Sequence, residues 1–141
     1  MGTQYARTRI MRFVVLLFCL LAMTACDERV TGPTAPLDTE FTLAPGETVA
    51  LERASLSVRF NRITGDNRCP ADALCVLGGS ADVSITAISD RATRDYVLRT
   101  GDLLPVQHDG FTLSLVQVSP YPFSARTIEP EEYRVTLKVR R

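Results

Sequence analysis

The residues of this chain that could do acid–base or nucleophilic chemistry are few and far apart. His108 is the sole histidine, and Asp109-Gly110 follows it. That dipeptide closes hairpins, so His108 is expected on an exposed turn. A Ser-His-Asp arrangement needs a base oriented by a third group and a serine on a strained turn, and the G-x-S-x-G pattern of such turns does not occur. Glu131 and Glu132 are adjacent, so the pleat of a following strand would send them to opposite faces. They read as a solvated edge rather than an acid/base pair. Zinc spacing, a haem motif and a phosphate-cradling glycine loop are also missing. The chain reads as a non-enzyme without a cofactor.

Polar side chains gather instead between Gly65 and Ala81, in GDNRCPADALCVLGGSA. Asp66, Asn67, Arg68 and Asp72 are the candidate binding residues of this loop. Two local carboxylates at a spacing unlike the EF-hand loop give no metal site. The same residues have structural uses. Asp66 suits an Asx-type turn, Arg68 lies two residues on and can pair with it, and Gly78-Gly79 supplies backbone conformations closed to other residues. A second candidate surface is Ser119-Pro-Tyr-Pro-Phe-Ser124, which its prolines stiffen. Tyr121 and Phe123 could project as rigid aromatic anchors. The disfavour of exposed aromatics instead favours a lid folded over one end of the core.

The elements that position these residues begin with an export signal. Arg7, Arg9 and Arg12 precede the apolar run FVVLLFCLLAMTA, which stops at Cys26 and is followed by Asp27 and Glu28. A basic segment, an apolar segment and small residues before a cut site make a secretory signal over 1–25. The run is shorter than the roughly 20 apolar residues of a membrane span. Met23-Thr24-Ala25-Cys26 resembles the lipobox of bacterial lipoproteins, which implies cleavage before Cys26 and acylation of that residue. Cleavage removes three arginines and no acid, so 13 basic residues face 16 acidic ones and the net charge becomes −3. Such a surface excludes nucleic acid as a partner, because phosphate binding needs a basic field. Contact with the membrane is expected through the lipid alone, on the extracytoplasmic side.

Four cysteines are present, of which Cys19 leaves with the signal and Cys26 takes the lipid. Cys69 and Cys75 remain in an oxidising compartment, where a disulfide is the default. The spacing is not C-x-x-C, and no basic residue lies between them, which argues against a redox role. Residues 26–39, rich in glycine and proline at Gly32, Pro33 and Pro36, read as a flexible tether. A single domain is expected over 40–141.

Within that domain the dominant period is two. Tyr133, Val135, Leu137 and Val139 alternate with polar residues, as do Leu56, Val58 and Phe60, and Ala81, Val83, Ile85 and Ala87. Phe111, Leu113 and Leu115 alternate too, and the phase then slips to Val116 and Val118, which predicts a bulge. Shorter strands are expected at Phe41–Leu43, Val49–Leu51 and Tyr96–Arg99. Turn residues separate them, and no helical period reaches ten residues. The class is all-β, a small antiparallel β-sandwich or barrel of about seven short strands with one disulfide-closed loop.

Asp66, Arg68, Cys69, Pro70, Cys75, Gly79 and Ala81 also resemble the Asp-x-Arg-Cys-Pro…Cys…Gly-x-Ala signature of an uncharacterised group of small bacterial envelope proteins. The likeness extends from Pro45-Gly46-Glu47 to the Tyr133 strand, with Leu77 where an aromatic residue is usual. It implies a secreted β-domain with one disulfide and no established activity. The function expected is a monomeric, lipid-anchored binding or accessory module of the envelope, with an envelope protein as a possible partner. The alternative is an inhibitor presenting loop 65–80 to a protease or lysozyme cleft.

Overall fold

The computed structural model describes residues 32–102 and 104–141. The expected signal over 1–25 and the acylated Cys26 lie outside the described residues. Among the described residues, nine strands run in chain order: β1 Thr34–Ala35, β2 Glu40–Leu43, β3 Thr48–Leu51, β4 Leu56–Asp66, β5 Ala81–Ser89, β6 Thr93–Arg99, β7 Val106–His108, β8 Phe111–Ser119 and β9 Arg134–Arg140. They form two sheets, ordered β1-β3-β4-β5-β6 and β2-β9-β8-β7, which is a β-sandwich.

The alternation in the sequence explains the sandwich directly. Val135, Leu137 and Val139 of β9 are fully buried, and they face Val58 and Phe60 of β4 and Val83 and Ile85 of β5 across one shared core. Odd and even positions part to opposite faces, so each sheet has one dry and one wet side. Every strand expected from periodicity is present. The phase slip in β8 is a register shift between Leu115 and Gln117, and it turns Val116 outward. β4 carries two such shifts, after Phe60 and after Ile63.

The two additional strands, β1 and β7, have two and three residues, too few to show a period. Asp109 and Gly110, both at positive φ, close the β7–β8 hairpin as a two-residue turn. β1 shortens the expected tether. Thr34–Ala35 pairs in parallel with Ala50–Leu51, Ala35 is buried, and the Asp38 amide donates to the Val139 carbonyl at 2.8 Å. The sandwich therefore starts near Gly32 rather than Glu40, because the apolar Ala35 and Leu37 have a core to cover.

The long connection 67–80 leaves one end of the sandwich between β4 and β5. The same end holds the β6–β7 connection and the start of the β8–β9 connection. The other end carries the β5–β6 and β7–β8 hairpins.

Candidate functional site

Arg68 is the centre of the first end. The residue is 8% exposed, and its guanidinium donates four hydrogen bonds. Nε donates to Asp66 Oδ1 at 2.9 Å and Nη2 to Asp66 Oδ2 at 2.6 Å. Nη1 donates to the Val118 carbonyl at 2.7 Å, and Nη2 also reaches the Pro120 carbonyl at 2.9 Å. Asp66 ends β4, whereas Val118 and Pro120 belong to the end of β8 and beyond, so one side chain joins both sheets. The Tyr133 hydroxyl, just before β9, donates to Asp66 Oδ2 at 3.1 Å. The Tyr121 ring lies over the guanidinium, 5.3 Å from Cζ to the ring centroid.

This geometry sets the protonation of the pair. Burial alone would raise the Asp66 carboxyl, but hydrogen bonds from the Arg68 side chain and amide, the Arg68 charge and the Tyr133 hydroxyl outweigh it. The carboxyl is held below its usual range. Burial, and then the hydrogen bond to that carboxylate, push the Tyr133 hydroxyl up.

The loop that follows Arg68 is folded onto the Ser119–Ser124 segment. The Ala71 amide donates to the Pro122 carbonyl at 2.9 Å. Asp72 Oδ1 accepts from the Ser124 amide at 2.8 Å and from its hydroxyl at 3.1 Å. The Ser124 amide, with Asp72's own amide and then the Ser124 hydroxyl, holds the Asp72 carboxyl below its usual range against the opposing effect of burial. The Cys69–Cys75 disulfide closes the loop with its Cα atoms 6.0 Å apart. At the far side Asn67 pairs with Ser80 twice, through its amide at 3.0 Å and its Oδ1 at 2.9 Å. Gly79 is fixed by the same close approach. A Cβ there would stand 1.5 Å from the Asn67 carbonyl oxygen, a clash with backbone that cannot swing away.

The two candidate surfaces thus form one. Asp66, Asn67, Arg68 and Asp72 all hydrogen-bond to other parts of the protein and brace it, Arg68 from a buried position and Asn67 and Asp72 from exposed ones. Tyr121 and Phe123 do not cover the core. Both rings are half-exposed and border the loop, a correction to the lid expectation, because Arg68 already closes this end of the sandwich and leaves the aromatics outside.

What stands free is apolar. Leu74, Val76 and Leu77 are 104%, 101% and 84% exposed. Periodicity does not mark them as a site, and the signal they leave in the sequence is the uncharged stretch without polar alternation between Ala73 and Ala81. Among the described residues, no group of three or more His, Cys, Asp or Glu is placed to hold a metal ion.

His108 corrects another expectation. It is 2% exposed rather than lying on the turn surface. Its Nδ1 lies 3.1 Å from the Tyr96 hydroxyl and its Nε2 3.2 Å from Ser89 Oγ. Ser89 Oγ donates to Asp109 Oδ2 at 2.5 Å and lies within 3.1–3.2 Å of the Ala92 carbonyl and amide, closing the β5–β6 hairpin. The serine and histidine meet, but the carboxylate sits on the serine, and a tyrosine hydroxyl occupies the place of the orienting acid. The cluster ties the two hairpins together. Alternation could have found it, since His108 is two residues from Val106 on the same face of β7.

No family model, no curated protein and no solved structure matches this chain.

Proposed function

We propose that this chain is a lipid-anchored, non-enzymatic binding module of the bacterial cell envelope, and that the disulfide-braced end of its sandwich is the surface that binds. One observation carries the reading. The loop is held rigidly at its base by Arg68, Asp72, Asn67 and the disulfide, yet it presents Leu74, Val76 and Leu77 bare to solvent. Soluble domains rarely leave a cluster of large aliphatic side chains uncovered unless it meets a partner. A pinned loop also loses little conformational freedom on binding. The lipobox-like Met23-Thr24-Ala25-Cys26 supports the anchor, and the Asp66-x-Arg68-Cys69-Pro70 likeness supports the envelope assignment. The inhibitor alternative draws less support, because Asp66, Asn67, Arg68 and Asp72 already make hydrogen bonds within the protein.

The test is retention of envelope material, protein or lipid, by the processed chain attached through its C-terminus. Wild type is expected to retain it, and so is His108→Gln. Leu74→Ser/Val76→Ser/Leu77→Ser is expected to lose it while keeping the wild-type melting temperature. Equal retention by the triple variant would sink the assignment of the surface, and mass spectrometry of an unmodified Cys26 would sink the anchor.

A further inference from the structure

The direction in which the chain enters the sandwich bears on what the apolar tip meets. The Pro33 carbonyl accepts from the Ala50 amide, and β1 runs parallel to β3, which is antiparallel to β4. Followed backwards, the chain at Pro33 therefore points along β4 toward Asp66, the end that carries the disulfide loop. Ala50 lies opposite Ser57, and Ser57 lies opposite Ile88 of β5. From Ile88 to Ala81, the partner of Asp66, is seven residues along β5. From Pro33 back to Cys26 is also seven residues. At ~3.3 Å per extended residue both spans are ~23 Å. A tether of this length is just long enough to bring Cys26 level with the end of the sandwich where Leu74, Val76 and Leu77 stand out.

We propose that this end docks on the bilayer that holds the lipid of Cys26, with Leu74, Val76 and Leu77 dipping into the interfacial layer and Tyr121 and Phe123 lying beside them. The proposal rests on the anchored-module reading and names the partner of its surface. Three observations favour a lipid surface. Residues 73–81 carry no charge, so nothing ionic must be desolvated at the tip. Two half-exposed aromatic rings flank it, the side chains that settle at the headgroup boundary. The chain at Pro33 is directed toward this end, and the seven residues back to Cys26 are long enough for this end to reach the membrane. Once the lipid has inserted, docking is intramolecular, so even a weak contact is strongly populated.

The chain has no tryptophan, so a single introduced indole reports its own site. The processed, full-length protein is prepared as Leu77→Trp, as Val76→Trp and, at the opposite end, as Asp90→Trp. Each is reconstituted on vesicles of phosphatidylethanolamine and phosphatidylglycerol, with or without brominated acyl chains, and flotation confirms attachment. The expected result is blue-shifted emission and bromine quenching for Leu77→Trp and Val76→Trp, with Asp90→Trp unchanged from its emission in water. Protein that floats while both loop variants emit as in water overturns the docking and leaves the anchor standing. Equal quenching in all three variants overturns it as unselective adsorption. A blue shift that appears without vesicles and grows with protein concentration overturns it in favour of a second copy. Protein that fails to float overturns the anchor and the docking with it.

Discussion

Each end of the sandwich joins the two sheets through one buried polar side chain, but the partners differ. At the loop end Arg68 meets a carboxylate, two carbonyls and an aromatic face. At the hairpin end the His108 ring meets two hydroxyls, those of Tyr96 and Ser89. Removing one member of a buried ion pair strands a charge, whereas removing a side chain bonded to hydroxyls leaves groups that can rotate toward water or toward one another. The difference also tracks what lies outside. Arg68 supports an apolar projection, and His108 sits beneath a polar turn. A rigid exposed loop needs the stronger brace.

The largest break in this comparison should come from Arg68→Ala. It leaves Asp66 without its cation and the Val118 and Pro120 carbonyls without a donor, for an expected loss of about 3–5 kcal/mol. His108→Ala should cost about 1–3 kcal/mol. Urea denaturation of both variants checks the order, and equal losses would erase the distinction between the two ends. The next effect is the disulfide. Closing the short loop from Cys69 to Cys75 constrains the unfolded chain by about 2 kcal/mol, so Cys69→Ser/Cys75→Ser should lower stability by that amount and leave the hairpin end as it was. Hydrogen exchange resolved by segment would show whether loss of protection stays at the loop end.

The smallest effect depends on pH and sharpens the comparison. The Asp66 carboxyl is depressed in the folded state, so its contribution is complete above the unfolded value, near 3.9, and is lost as pH falls through the lower folded value. Wild type should therefore weaken below about pH 4. Asp66→Asn should be less stable than wild type at neutral pH, and the gap should narrow over that acid range. Denaturation midpoints measured from neutral to acid pH provide the check. A constant gap would mean that the ion pair contributes through shape rather than charge. Asp72 and Asp82 are also held down by hydrogen bonds, but both stand in solvent and add little.

The fold was legible because a sandwich writes its pattern locally. Val135, Leu137 and Val139 alternate against Arg134, Thr136 and Lys138 within one strand, and Asp109-Gly110 names its own turn. The pairing of Asp66 with Arg68 was legible for the same reason, since the two lie only two positions apart. The rest of the site is made of contacts distant in sequence. Arg68 meets Val118 fifty residues on, Asp66 meets Tyr133 after sixty-seven, and Asp72 meets Ser124 after fifty-two. No local pattern announces such partners. The burial of His108 was hidden because β7 is too short to display its alternation, and the turn signal beside it dominated.

The lengths of the outer strands have a consequence for crowding. In one sheet the edges are β1, with two residues, and β6; in the other they are β2 and β7, with four and three residues. Short borders offer a neighbouring chain little unpaired backbone to copy, and β6, the one long border, places exposed Arg94, Asp95 and Arg99 along its length. Many copies of such a domain can be packed side by side without their sheets merging into a shared cross-β ribbon.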